Sequence, residues 1–189
     1  MLNIALFGPP GSGKGTQSKK LIEKYNLAYI STGDMLRAEI AEDSELGKRV
    51  KSVMDAGELV SDELIVQILE KKIKNLTDAE GILFDGFPRN LVQAYILKGL
   101  LCKLNTELTA MISLEVPEEE LMERMLKRAE LEGRSDDNPE TIKNRFRQYE
   151  SKTRPVSGFY REMNRCYPVD GMGRVEDIFQ RVSDVIDSL

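Results

Sequence analysis

The sequence contains no histidine and only two cysteines, Cys102 and Cys166. Histidine is the usual general base, so its absence excludes Ser-His-Asp hydrolysis and other nucleophilic catalysis that depends on an imidazole. The cysteines stand far apart and form no CxxC pair, so neither a disulfide framework nor a structural zinc site is expected. Any chemistry of this chain must therefore depend on positioning and on charge.

Long apolar runs and an overall basic excess are also missing. No apolar stretch approaches the length that a membrane-spanning helix requires, and the formal net charge is −5. The negative charge argues against a surface for nucleic acid or for an anionic membrane. Because the first predicted strand begins at Leu2, we expect no signal or transit peptide and a soluble, cytoplasmic protein. Positive charge is local, since residues 124–165 hold 11 basic and 7 acidic side chains.

The length and the apolar content fit one domain. The chain has 189 residues, of which 41% are hydrophobic, enough for a single core. Apolar runs that predict strands alternate with helical patterns, which is typical of βαβ units and predicts an α/β fold with a parallel, doubly wound sheet. These runs are Leu2 to Phe7, Ala28 to Ile30, Ile82 to Phe84, Ala110 to Val116 and, more weakly, Cys166 to Val169. Helix starts are predicted at Pro117 and at Asn138 followed by Pro139.

Two segments do not fit simple connections between strands and helices. Residues 34–78 are polar and favour helix, and their length predicts a small helical subdomain that could cover the sheet as a flap. Residues 130–138, ELEGRSDDN, are short and highly charged, which predicts a loop able to close on a charged ligand. Solvated connecting structure is the alternative interpretation of both segments.

The most informative stretch is LNIALFGPPGSGKGTQ, residues 2–17, where a buried strand leads into a glycine-rich turn and a lysine. The glycines let backbone N–H groups point at an anion, and the helix that follows presents its positive end to the same place. Gly8 to Lys14 match the P-loop pattern G-x-x-x-x-G-K-[ST], with Lys14 placed to contact the outer phosphates. Gly15 stands where Ser or Thr is expected, and the hydroxyl comes at Thr16. The departure weakens the case for direct magnesium ligation by this loop but keeps the phosphate cradle.

Charged residues also follow two later strands. Asp85 ends the third strand and Arg89 follows it, so both are expected at the carboxyl edge of the sheet, where open α/β sheets bind ligands. Asp85 is a candidate magnesium ligand, directly or through water, and capping of the next helix is its alternative role. In STGDMLR, residues 31–37, Thr32 is predicted to cap a helix and Arg37 to project from it. This arrangement predicts a second phosphate site.

Four arginines in the basic segment extend the cationic group. Arg124 and Arg128 are four residues apart on a predicted helix and share one of its faces, and Arg134 and Arg145 follow. Surface ion pairs that contribute little to stability are the ordinary role of such residues. Together with Lys14, they predict a group of cations suited to several phosphates.

Five segments together resemble the adenylate kinases, and they span nearly the whole chain. They are GPPGSGKGTQ, STGDMLR, DAGELVSDEL, DGFPRNLVQA, and GRSDDN followed by Arg145. The resemblance implies a five-stranded parallel sheet flanked by helices, of the P-loop NTPase type, in a single domain over residues 1–189. It also implies a helical AMP-binding flap at residues 31–60 and a short lid at residues 129–138. The long lid's zinc-binding insertion is absent, so the implied cofactor is Mg²⁺ with ATP and no zinc.

The same resemblance implies roles for individual residues. ATP binding is implied for Gly8, Pro9, Pro10, Gly11, Ser12, Gly13, Lys14, Gly15, Thr16, Arg124, Arg128 and Gly173. AMP binding is implied for Thr32, Arg37, Glu58, Leu59, Val60, Gly86, Phe87, Pro88, Arg89, Gln93, Arg134 and Arg145. Neutralisation of charge during catalysis is implied for Lys14, Arg89, Arg128, Arg134 and Arg145. The implied reaction is direct, reversible transfer of a phosphoryl group from MgATP to AMP, giving two ADP, by a cytoplasmic monomer.

The sequence leaves open which base the phosphoryl-accepting nucleotide carries. Asn90 stands where adenylate kinases more often have Thr, and in this it resembles the UMP/CMP kinases. Thr32 and Gln93 favour AMP, since pyrimidine-specific relatives tend to have Ala in place of Thr32 and a glutamine offers both a donor and an acceptor to adenine. A UMP/CMP kinase is the alternative enzyme. A nucleotide-binding switch is the alternative of another class, although it would not require a second phosphate site.

Overall fold

A computed structural model of the protein describes residues 1–76 and 79–189. Within them, five parallel strands form one sheet in the order β2-β3-β1-β4-β5. The strands are β1 Leu2–Phe7, β2 Leu27–Ser31, β3 Gly81–Asp85, β4 Ala110–Glu115 and β5 Cys166–Asp170. The predicted five-stranded parallel α/β fold is confirmed, and each predicted strand end lies within one residue of the observed end.

Strand β1 lies at the centre of the sheet, where its side chains alternate between two apolar clusters. Ile4 and Leu6 belong to one cluster, and Ala5 and Phe7 belong to the other. Because helices cover both faces of a parallel sheet, both sets of side chains are buried. This double burial explains why the sequence of β1 is an almost uninterrupted apolar run.

Helices pack on both faces of the sheet. The described residues contain α1 Lys14–Tyr25, α2 Thr32–Ala41, α3 Glu45–Asp55, α4 Asp62–Lys74, α5 Leu91–Lys103, α6 Glu118–Glu132, α7 Pro139–Gln148, α8 Arg154–Glu162 and α9 Val175–Asp187. Helices α1 and α9 cover the face that holds Ile4, whereas α4, α5 and α8 cover the face that holds Phe7. In the described part of the chain, no helix is both long and apolar enough to span a bilayer.

The segment predicted to form a helical subdomain contains α3, α4 and most of α2. Residues 77 and 78, at its end, lie outside the described residues. Helices α2 and α3 pack on each other, and the C-terminal end of α3 accepts two hydrogen bonds from α7. Thr141 Oγ1 donates to the carbonyl of Asp55 at 2.9 Å, and Asn144 Nδ2 donates to that of Ala56 at 2.7 Å. The α2–α3 pair is thereby joined to α7.

Two of the predicted helix boundaries are confirmed by their caps. Helix α6 starts after Pro117 and carries three glutamates in its first turn. Helix α7 starts at Pro139, and the side chain of Asn138 accepts a hydrogen bond from the N–H of Thr141. Asparagine before proline is a favourable helix start because the side chain satisfies one free N–H and proline needs none.

Two other local predictions were wrong. The cap of α2 is Ser31, whose hydroxyl accepts from the N–H of Asp34, whereas Thr32 is the first residue of the helix. Both hydroxyl residues are good caps, and the end of β2 at Ser31 selects the first of them. The loop predicted from residue 130 begins only at Gly133, since α6 continues through Glu132. Gly133 has a left-handed backbone (φ 62°), which is the usual way to end a helix.

Candidate active site

Two neighbouring cavities open at the carboxyl edge of the sheet. We call the first the flap cavity; it has a volume of about 130 Å³ and is lined by parts of residues 32–37, 54–60 and 86–93. We call the second the loop cavity; it has about 860 Å³ and is lined by parts of residues 10–17, 124–134 and 173–178. Four cationic side chains line both cavities and so lie where the two meet: Lys14, Arg37, Arg89 and Arg145.

The glycine-rich loop between β1 and α1 forms one wall of the loop cavity. Gly13 precedes α1 with a left-handed backbone (φ 91°), and a Cβ there would have no heavy atom within 4 Å. Gly11 lies against α6 instead, because a Cβ there would approach Leu121 O to 2.9 Å. The start of α1 therefore faces open space, and a helix N-terminus that faces open space has the geometry of an anion site.

Lys14 projects from the first turn of α1, and its ammonium group contacts only uncharged atoms at hydrogen-bond distance in the described structure. Its Nζ donates to the carbonyls of Gly8 at 2.8 Å and Pro9 at 2.9 Å. Burial lowers the pKa of Lys14 to about 8; Asp85 opposes this shift and the nearby arginines add to it. The charge of Lys14 is thus poorly compensated, which favours an incoming anion.

Asp85 lies at the end of β3, opposite the start of α1. Its buried carboxylate accepts a hydrogen bond from the hydroxyl of Tyr29 at 3.1 Å, and no ion pair to it is found among the described residues. A Cβ on Gly15 would lie 4.0 Å from Asp85 Oδ2, so the carboxylate faces the phosphate cradle. The described residues contain no cluster of three or more metal-ligating side chains. One carboxylate beside a phosphate site fits Mg²⁺, which takes phosphate oxygens and keeps several waters.

Gly86 positions two polar side chains at the junction of the cavities. Its carbonyl accepts hydrogen bonds from Thr32 Oγ1 at 2.8 Å and from Arg89 Nε at 2.7 Å. A Cβ on Gly86, whose φ is 74°, would lie 2.8 Å from the Arg89 guanidinium and 2.9 Å from Thr32 Oγ1. Burial lowers the pKa of Arg89, with Arg37 adding to the shift and Asp85 opposing it.

The arginines of α6 and α7 are held by carboxylates of the segment between these helices. Asp137, whose side chain is fully buried, accepts from Arg128 Nε at 2.6 Å and from Arg128 Nη2 at 2.8 Å. Asp137 also pairs with Arg145, and Asp136 Oδ2 lies 3.0 Å from Arg145 Nη1. Burial lowers the pKa of Arg145 to about 10, although the two aspartates oppose this.

Two further arginines pair with glutamates of α6. Arg124 Nε lies 2.7 Å from Glu120, and its guanidinium also donates to the carbonyl of Gly171. Arg134 Nε lies 2.7 Å from Glu132. Each predicted arginine of this segment therefore has an acidic partner in this structure, and an anionic ligand would compete with that partner.

Comparison with known proteins gives the family. The family model described as adenylate kinase matches residues 6–165. The chain belongs to the adenylate kinase family. It is similar to the adenylate kinase of Bacteroides thetaiotaomicron, 46% identical over 189 residues that cover all of both chains. It is also similar to that of Stenotrophomonas maltophilia, 47% identical over 181 residues that cover 96% of this chain and 97% of the relative.

The residues that the adenylate kinase resemblance assigns to ATP lie mainly around the loop cavity. That cavity is lined by Pro10, Gly11, Ser12, Gly13, Lys14, Gly15, Thr16, Arg124, Arg128 and Gly173. Gly8 lines the flap cavity instead. Pro9 is not among the described residues that line either cavity, but its carbonyl accepts a hydrogen bond from Lys14 Nζ.

The residues assigned to AMP lie around the flap cavity with one exception. That cavity is lined by Thr32, Arg37, Glu58, Leu59, Val60, Gly86, Phe87, Pro88, Arg89, Gln93 and Arg145. Arg134 lines the loop cavity. The structure thus brings the assigned residues into two adjoining groups rather than one.

Sequence reasoning missed the acidic partners of the site. Asp136 and Asp137 hold the arginines, and Asp62 accepts a hydrogen bond from Gln93 Nε2 at 2.8 Å. Lys127, which lines the loop cavity, was also missed, although its place beside Arg128 in the basic segment was a usable signal. The aspartates carried no such signal, because acidic residues are common on any surface.

Proposed function

We propose that the loop cavity binds ATP and the flap cavity binds AMP, with their phosphates meeting at the four shared cations. The chain catalyses reversible phosphoryl transfer from ATP to AMP, giving two ADP, which is the reaction of its family. The main support for assigning one nucleotide to each cavity is that both cavities are lined by Lys14, Arg37, Arg89 and Arg145. One nucleotide in each cavity would place both phosphate groups within reach of the same charges.

Transfer by these residues needs alignment and charge neutralisation but no proton relay through a side chain. A phosphate oxygen of AMP attacks the γ-phosphorus of ATP in line, the bond to the β-phosphate oxygen breaks, and ADP leaves. The N–H groups at the start of α1 hold the donor phosphates, and Lys14 and Arg89 neutralise the charge that spreads over the transferred group. This mechanism has no covalent enzyme intermediate and fits a chain without histidine.

Magnesium belongs on the ATP side of this arrangement. Asp85 would hold the ion, through its waters, against the phosphates in the glycine-rich loop. When bound, Mg²⁺ supplies further neutralisation of phosphate oxygens. The support is the buried carboxylate of Asp85, which faces the loop and has the Tyr29 hydroxyl as its hydrogen-bond donor.

The flap at residues 31–60 and the lid at residues 129–138 would close over the nucleotides and exclude water. Exclusion is needed because water in the site would hydrolyse ATP. In the closed state, Arg128, Arg134 and Arg145 would exchange their carboxylate partners for phosphate oxygens. We further propose that the protein is cytoplasmic. We also propose that it acts as a monomer, since one chain supplies the residues assigned to both nucleotides.

A UMP/CMP kinase is the alternative enzyme, suggested by Asn90. The Asn90 side chain caps α5 and donates to Asp62, and it is not among the described residues lining the flap cavity. The departure from the adenylate kinase pattern therefore lies beside the base site and does not form its wall. Thr32 and Gln93 do line that wall, which supports AMP.

The decisive experiment supplies ADP and Mg²⁺ with no other nucleotide. We expect ATP and AMP to form in equal amounts until equilibrium, because the two cavities bind one ADP each and transfer a phosphoryl group between them. A dinucleotide that joins two adenosines through five phosphates should bind tightly and block this reaction. A nucleotide-binding switch would leave ADP unchanged, and a protein with one nucleotide site would bind the dinucleotide no better than ADP.

A further inference from the structure

We propose that Asp62 and Asn90 are positioning residues that set the base specificity of the flap cavity, by holding the amide of Gln93 in one orientation. The inference rests on the proposed function, in which Gln93 contacts the base of the acceptor nucleotide. Asp62 lies in the first turn of α4 and Asn90 caps α5, so the two helix starts meet beside the cavity.

The orientation of Asn90 is fixed by a donor on one side and an acceptor on the other. The N–H of Gln93 donates to Asn90 Oδ1 at 2.8 Å, and Asn90 Nδ2 donates to Asp62 Oδ1 at 2.8 Å. A backbone N–H only donates, and an ionised carboxylate only accepts. Rotating the amide by half a turn would therefore place donor against donor and acceptor against acceptor.

The same reasoning fixes Gln93. The N–H of Arg89 donates to Gln93 Oε1 at 2.7 Å, and Gln93 Nε2 donates to Asp62 Oδ1 at 2.8 Å. Asp62 thus accepts from both amides and holds them together. Because Gln93 as a whole is only 2% exposed, water cannot readily compensate for a reversed amide.

The donor and acceptor capacity of the Gln93 amide that the protein does not use indicates which bases can bind. Among the described residues, Oε1 and Nε2 have one partner each, which leaves one lone pair and one N–H for a ligand in the flap cavity. This pair matches a base edge that carries an amino group beside an unprotonated ring nitrogen, as in adenine and cytosine. It opposes the edge of hypoxanthine, guanine or uracil, where a carbonyl lies beside a ring N–H. The held amide therefore selects the amino bases.

The test compares kcat/KM for AMP, IMP, CMP and UMP in the native protein and in D62N. We expect the native protein to prefer AMP over IMP by about 100-fold or more, since a mismatched buried pair is strongly rejected. In D62N the new carboxamide can turn either its oxygen or its nitrogen toward Gln93, so only the N–H of Arg89 still favours the native orientation of Gln93. The preference for AMP over IMP should then fall by about tenfold or more. CMP should likewise lose its advantage over UMP.

The matched control is E63Q, which removes an exposed carboxylate from the same turn of α4. It should leave every ratio between acceptors unchanged. A second variant, N90S, keeps a good helix cap but removes the donor to Asp62, and its AMP to IMP preference should fall by about two- to fivefold. N90S also serves as the test if D62N does not fold, which a thermal melt would reveal.

Two results would overturn the inference. A native protein that uses IMP as well as AMP would show that Gln93 is not held in one orientation. Equal losses for all four acceptors in D62N and in N90S would show that Asp62 and Asn90 serve only the structure. Failure of the proposed function would be distinguishable, because no ADP would then form from ATP and AMP in the native protein.

Discussion

The cations of the glycine-rich loop and those of the lid are held by partners of different charge. Lys14 is held by the carbonyls of Gly8 and Pro9, whereas Arg128 and Arg145 are held by buried carboxylates, with Asp137 shared between them. The lysine therefore keeps an uncompensated charge, and the arginines are largely neutralised. The glycine-rich loop can therefore bind phosphate without rearrangement. The arginines of the lid side must first release their aspartate partners.

The largest effect should come from Arg89, which is held by a carbonyl as Lys14 is. We expect Arg89→Ala to lower kcat by about 10²–10³-fold, because an uncompensated cation at the junction acts on the transferred group. Steady-state rates with saturating nucleotides measure the loss, and a thermal melt checks that the fold is intact. The control is Arg154→Ala, which removes an exposed arginine paired with Glu150. Normal turnover by the Arg89 variant would remove this residue from the catalytic group.

The second-largest effect should come from removing the carboxylate that Arg128 and Arg145 share. We expect Asp137→Asn to lower the free energy of unfolding without nucleotide by about 1–3 kcal/mol, since two guanidinium groups lose their shared carboxylate. With the two-adenosine dinucleotide bound, the loss should shrink, because phosphate replaces the missing anion. Urea unfolding with and without the dinucleotide measures both values, and Asp177→Asn at an exposed ion pair is the control. An equal loss in both conditions would contradict the exchange of partners.

The smallest effect is the pH dependence of the loop. Because the pKa of Lys14 is lowered to about 8, the kcat/KM for ATP should fall as the pH rises through 8, by at most about tenfold per unit. The contribution of Lys14 to stability has the opposite sign. Between pH 8 and its ordinary pKa of 10.5, the unfolded chain binds more protons, so this contribution rises with pH.

Lys14→Arg is the variant that checks this assignment. An arginine stays protonated throughout the range, so the inflection near pH 8 should disappear even if the overall rate is lower. Profiles of kcat/KM for ATP from pH 7 to 9.5 make the comparison. An inflection that persists in the variant would assign the titration to another group.

Much of the fold could be predicted because local patterns determine it. The strand at residues 2–7 is buried on both faces and so is apolar throughout, and Asn138 with Pro139 marks a helix start through local hydrogen bonding. One of the two errors arose where neighbouring residues offer equivalent chemistry. Ser31 and Thr32 can both cap a helix, and only the end of the strand chooses between them.

The sequence predicts the glycine-rich loop beside the cavities but does not predict the acidic residues that hold the polar side chains around them. The glycine-rich loop and Lys14 form one continuous segment, so their geometry follows from it. The contact of Asp62 with Gln93 joins residues 31 positions apart and depends on how α4 packs beside α5. Nothing local distinguishes Asp62 from the exposed Glu63 that follows it.

The hydrogen bonds from Thr141 and Asn144 to the carbonyls of Asp55 and Ala56 join α7 to the end of α3 without using charge. Mobile ions screen attraction between charges but leave bonds between neutral groups almost unchanged. Raising the ionic strength should therefore weaken ion pairs at the exposed surface, such as Arg174 with Asp177, while these neutral hydrogen bonds persist. The spacing between α3 and α7 should therefore stay constant when the salt content of the surroundings changes.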